Sequence, residues 1–103
     1  MAGKRDEKRQ SDTRVLDRVE KPPKYKVVLH NDDFTPMFFV NIVLSRFFRK
    51  SEIEAASIMM NAHEKGKSTV GIYTKEIANT KCNQSIRFSR KHNYPLLLTN
   101  EPE

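Results

Sequence analysis

An amide and two carboxylates, Asn31, Asp32 and Asp33, stand together in "LHNDDFTPMFFV", Leu29 to Val40, and an intensely apolar run follows at once. Three kinds of chemistry compete for such a junction. Adjacent carboxylates could ligate a metal with help from His63, but neither EF-hand nor zinc-site spacing is present. Asp33 or Thr35 could satisfy free N–H groups at a helix start. That accounts for one or two polar residues, not for three beside Met37 and Phe38. The remaining reading is capture of a cation that carries an apolar neighbour, with acceptors on the loop and hydrocarbon beyond it. Further along, Met59, Ala62 and His63 stand at i, i+3 and i+4 and so line one face of a helix. Taken alone the stripe reads as core; it gains meaning only where it meets the Asn-Asp-Asp loop. Covalent catalysis finds little support. Cys82 falls mid-helix among Ala78, Ser85 and Ile86, where a buried inert thiol is the default, and His30, His63 and His92 show no catalytic spacing with it. With three glycines and no glycine-rich phosphate loop, the chain reads as a binding protein rather than an enzyme, and no cofactor is expected.

Six elements must position these groups. Tyr25 to His30, "YKVVLH", is a β-branched run that predicts a strand. Thr35 as N-cap and Pro36 at the first helical position predict a helix to about Phe48, with Phe39, Val40, Val43, Leu44 and Phe47 on its core face. Ser51-Glu52-Ile53-Glu54 matches a capping box, so a second helix starts there and ends near Lys65, with Gly66 just past it. Ser68 to Tyr73 predicts a second strand, and Thr74 caps a third helix over Lys75 to Lys91. Leu96 to Thr99 reads as the last strand, with "NEPE" as a tail. The order β-α-α-β-α-β implies an α+β fold, a small α/β sandwich with three helices on one face of a mainly antiparallel three-stranded sheet.

A chain of 103 residues bounds the molecule to one domain. Residues 1–22 are polar, nearly free of aromatics and closed by Pro22-Pro23, a composition expected of a disordered arm; residues 23–103 are the expected folded domain. A net charge of +6 and a pI of 9.6 permit an acidic partner, nucleic acid included. The basic residues are scattered, however, without interleaved aromatics, and read as solvated surface. A small RNA- or ribosome-associated module is therefore the rival reading. The single cysteine can form no internal disulfide, the N-terminus lacks a secretory apolar stretch, and no apolar run reaches the length of about 18 residues that spans a bilayer. A soluble, cytoplasmic protein is expected.

Three segments, "YKVVLHNDDFTPMFFV", "IMMNAHEKGKSTVGIYTKEIANTK" and "HNYPLLLTNEPE", closely resemble ClpS, the bacterial adaptor of the ATP-dependent Clp protease, from Pro22 to the C-terminus. The resemblance rests on Asn-Asp-Asp-x-Thr-Pro-Met after a strand, His-Glu-x-Gly after the second helix and Pro-Leu-Leu near the end. It implies a domain that binds proteins beginning with Leu, Phe, Tyr or Trp and passes them to the N-terminal domain of a ClpA-type AAA+ unfoldase. By position in the motifs, Asn31, Asp32 and His63 would hold the substrate's α-amino group. Asp33, Thr35, Met37, Val40, Met59, Ala62 and Leu96 would surround its side chain, and Glu76 and Lys81 would face the unfoldase. The resemblance also implies that Met37 crowds the entrance against β-branched first residues, and that the unfoldase grasps the arm. An unfoldase-binding domain that ignores N-terminal residues is a second rival. Two departures stand out. Ala62 replaces the usual valine, which predicts a roomier pocket favouring rings over Leu. Phe38 replaces a usually acidic residue at the loop edge, where it would shield the rim, meet the substrate's second residue or simply pack at the surface.

Overall fold

A computed structural model of the chain describes residues 22–103, so the expected arm lies outside the described residues except for Pro22. The elements are β1 (Lys24–His30), α1 (Met37–Phe48), α2 (Glu52–Lys65), β2 (Lys67–Thr74), α3 (Lys75–Lys91) and β3 (Leu97–Pro102). Their order is the β-α-α-β-α-β that the sequence predicts. β1 is the central strand of a sheet ordered β2-β1-β3, antiparallel to both neighbours. Val27 and Leu29 alternate along β1 and join Phe39, Val40, Val43 and Leu44 of α1, Val70 of β2 and Leu98 of β3 in one buried cluster. α2 and α3 contribute only small residues to that cluster, Ala55, Ala62, Ala78 and Cys82.

The helix ends follow local chemistry. Ser51 Oγ accepts from the Glu54 N–H at 3.1 Å while the Glu54 carboxylate accepts from the Ser51 N–H at 2.9 Å, completing the capping box. Gly66 closes α2 at φ 91°, a left-handed value that glycine reaches without a Cβ penalty. Thr74 caps α3 through the Ile77 N–H at 3.4 Å. In α3, Ser85 and Ser89 are fully buried, and their hydroxyls donate to the carbonyls one turn earlier at 2.7 and 2.8 Å, so no polar atom is orphaned there.

Three local expectations are corrected. α1 begins at Met37, with Pro36 rather than Thr35 at the cap position, and no side chain caps it. The Thr35 hydroxyl turns back instead, donating to Asp32 Oδ2 at 3.0 Å, so the preceding loop claims it. Phe48 takes the buried position in the last turn of α1, while Phe47 is half-buried with its ring edge against Phe88. The C-terminal segment is not a tail. Asn100, Glu101 and Pro102 continue β3 opposite Val27, Lys26 and Tyr25, because the central strand offers backbone partners along its whole length.

Candidate functional site

The loop between β1 and α1 is built around Asp32. Its Oδ1 accepts from the Phe34 and Thr35 N–H groups at 2.8 and 2.7 Å, and its Oδ2 accepts the Thr35 hydroxyl. One carboxylate thus organises the turn that an aspartate at this position favours. The Asn31 N–H donates to the Gly66 carbonyl at 3.0 Å, which ties the loop to the C-terminal end of α2. His63 lies in the last turn of α2, so this backbone bond and the left-handed turn at Gly66 bring it to the same side as Asn31 and Asp32.

Between the loop, α1 and α2 opens a cleft of about 520 Å³. Asn31, Asp32 and His63 lie along it, with Asp33, Thr35, Met37, Val40, Met59, Ala62 and Leu96. Every residue expected around a ligand is therefore brought to one place. Its deep wall is apolar: Val40, Ala62 and Leu96 are buried, and Met59 is half-buried. Asn31, Asp33 and His63 are exposed. Although the chain carries a net charge of +6, the cleft is lined among the described residues by two carboxylates and by no lysine or arginine. A cation with an attached apolar group fits that arrangement chemically; a phosphate does not.

The space exists because α2 presents alanines. Ala56 and Ala62 line the cleft with one carbon each where a larger side chain would fill it. Leu96 is held in place from behind, since the Arg90 guanidinium donates to the Leu96 carbonyl at 2.7 Å and to the Tyr94 carbonyl at 3.0 Å.

The sequence reading missed Leu29, His30, Ala56 and Met60 among the lining residues. For two of them a signal was present: Ala56, Met59, Met60 and His63 stand at i, i+3, i+4 and i+7, one continuous helical stripe. Leu29 and His30 belong to the end of a strand, and only their place beside α2 assigns them; His30 Nε2 lies 2.8 Å from Thr99 Oγ1.

Glu76 and Lys81 do not line the cleft. Glu76 is exposed in the first turn of α3. Lys81 is half-buried, its ammonium donating to the Phe47 carbonyl at 2.9 Å and lying 5.8 and 5.4 Å from the Phe48 and Tyr73 ring centroids. That ammonium satisfies a carbonyl at the C-terminal end of α1. No helix among the described residues is long and apolar enough to cross a membrane.

Comparison with known proteins gives a consistent result. The family model described as "ATP-dependent Clp protease adaptor protein ClpS" matches residues 20–99. The ClpS adapter protein of Zymomonas mobilis is 42% identical over 105 residues, spanning 98% of each chain. That of Ruegeria sp. (strain TM1040) is 45% identical over 91 residues, 88% of this chain and 80% of the relative. A solved structure, Agrobacterium tumefaciens ClpS2 bound to L-phenylalaninamide, is 41% identical with a TM-score of 0.78, covering 81% of this chain and all (100%) of the other.

Proposed function

Because the chain belongs to the ClpS family of ATP-dependent Clp protease adaptors, we propose that its cleft captures the first residue of proteins beginning with Leu, Phe, Tyr or Trp. The domain then delivers them to a ClpA-type AAA+ unfoldase in the cytoplasm, performing no catalysis of its own. The carrying observation is the joining of exposed acceptors to an apolar wall in one cleft. L-phenylalaninamide, the ligand of the solved relative, has the matching chemistry: a free amino group, a benzyl side chain and an amide where a peptide would continue.

An α-amino group has a pKa of about 8, so near neutral pH it is largely an ammonium with three donors and no acceptor. The Asn31 amide oxygen, the Asp32 carboxylate and a neutral His63 nitrogen complement it, directly or through water. Asp32 already accepts three intramolecular hydrogen bonds; they fix its orientation and leave its charge to favour the cation. An acetylated or internal residue offers no ammonium and leaves those acceptors unpaired, which is the source of selectivity. The side chain enters between α1 and α2. Burying Leu or Phe contributes about 1.5–3 kcal/mol, and a charge-assisted hydrogen bond contributes about as much. After the cost of association the expected affinity is of micromolar order, to within about tenfold. Glu76 and Lys81 belong to the surface offered to the unfoldase, and the N-terminal arm to hand-over.

The test is titration of a labelled Phe-initiated peptide against its acetylated copy. Saturable micromolar binding of the free peptide alone is expected. Equal or absent binding of both, or nucleic-acid binding with steep salt dependence, would overturn the proposal.

A further inference from the structure

The apolar surface does not stop at the cleft. Met37 on α1 and Met60 on α2 line it from opposite helices yet remain 70% and 55% exposed, so they form its two lips. Phe34 stands between two lining residues, Asp33 and Thr35, and is 78% exposed; Phe38 follows Met37 and is 62% exposed. Neither ring serves the fold: among the described residues, Phe34 and Phe38 join none of the aromatic pairs that pack α1 on α3 and β2. Both are absent from the buried cluster and from the half-buried shell around it. Two exposed rings, each next in sequence to residues that line the cleft, mark a surface that a partner covers.

We infer that Phe34 and Phe38, with the Met37 lip, form a second subsite that takes a bulky apolar or aromatic side chain at position two of the bound peptide. The inference rests on the N-terminal residue occupying the cleft, as proposed above. A chain whose first side chain lies between α1 and α2 must leave by the mouth, and its second Cα follows about 3.8 Å later. The second side chain of such a chain emerges at the lips, where the exposed Phe38 follows Met37 in the first turn of α1 and the exposed Phe34 stands between Asp33 and Thr35 on the loop. Methionine at the lip adds a polarizable, adaptable contact to an aromatic ring. The occupant is therefore the continuation of the substrate itself, by continuity with the cleft. The alanine-lined wall selects the first residue and the phenylalanine rim selects the second.

Four peptides test this, all beginning with free Phe and differing at position two: Phe, Leu, Ser and Gly. Wild type is expected to bind the Phe-Phe peptide roughly three- to tenfold more tightly than the Phe-Ser peptide. Phe38→Ala, at an exposed helical site, is expected to erase most of that preference while leaving the Phe-Ser affinity unchanged; Phe34→Ala is expected to act in the same direction. Equal affinities in wild type, with acetylated copies still rejected, would overturn the second subsite and leave the cleft reading intact. Loss of discrimination against acetylated copies would overturn both. Concentration-dependent self-association of the protein that Phe38→Ala abolishes, read by sedimentation, would give the rim to a second copy of the chain and overturn the inference.

Discussion

Ala62 decides more about the cleft than its size suggests. It is buried, with 2% of its surface exposed, and lines the wall against which a first side chain would rest. Ala62→Val adds two methyl groups to that wall, and large rings have the least room to yield. We predict that the substitution weakens Trp- and Tyr-initiated peptides about three- to tenfold relative to Leu-initiated ones; an unchanged Leu-to-Trp ratio in a four-peptide titration rejects the role. His63 is exposed and lines the cleft, in reach of the ammonium that the proposed function places there. His63→Ala should lower affinity for a free Phe peptide roughly tenfold with the circular dichroism spectrum unaltered. Unchanged affinity of His63→Ala for the free Phe peptide would remove His63 from the site, with His30 as the remaining histidine on the cleft.

Between residues and molecule, the two ends of α2 carry the geometry. Gly66 adopts φ 91° in open space, with nothing within 4 Å of where a Cβ would stand, so Gly66→Ala meets backbone strain and no clash. A cost of about 1–2 kcal/mol is expected in denaturant unfolding. Because the Gly66 carbonyl accepts from Asn31, peptide affinity should fall as well. Unchanged stability and affinity would show that this junction does not set the loop. At the other end, the Ser51 N–H and then the Ser51 hydroxyl hold the Glu54 carboxyl below its ordinary 4.5. A carboxyl depressed in the folded state stabilises above its unfolded value, and that contribution disappears as pH falls through the folded one. It is small for so exposed a group. Glu54→Gln keeps an acceptor for the cap and should flatten the acid limb of the melting-temperature profile while changing little at neutral pH. An unaltered acid limb would exclude the charge.

At the scale of the whole molecule, the three helices and three-stranded sheet of the described residues enclose one buried cluster, with Cys82 inside it. Burial pushes the Cys82 thiol up, so the reactive thiolate is scarce in the native state. Alkylation should therefore report global opening, at least about a hundredfold slower in the folded protein than in guanidinium. Comparable rates, followed by mass spectrometry, would place Cys82 on a mobile surface. Lys81 belongs to the same packing, its ammonium donating to the Phe47 carbonyl at the end of α1.

Element order, the capping box at Ser51, the glycine stop at Gly66 and the threonine cap of α3 were legible in the sequence because each is fixed by contacts within a few residues. The polar loop and the Met-Ala-His stripe were legible as types of residue, and family resemblance supplied their pairing. The start of α1 was misread because Thr35 had two local partners to choose from. Asp32 won it, through a turn whose closure depends on where β1 ends. The continuation of β3 through Pro102 depended on a strand some seventy residues earlier in the chain, and no local pattern encodes that. The cleft itself is a tertiary fact. It is a volume left between α1 and α2 by alanines on one helix and by an Asn31–Gly66 bond that joins distant segments. Such an empty space has no residue of its own to announce it.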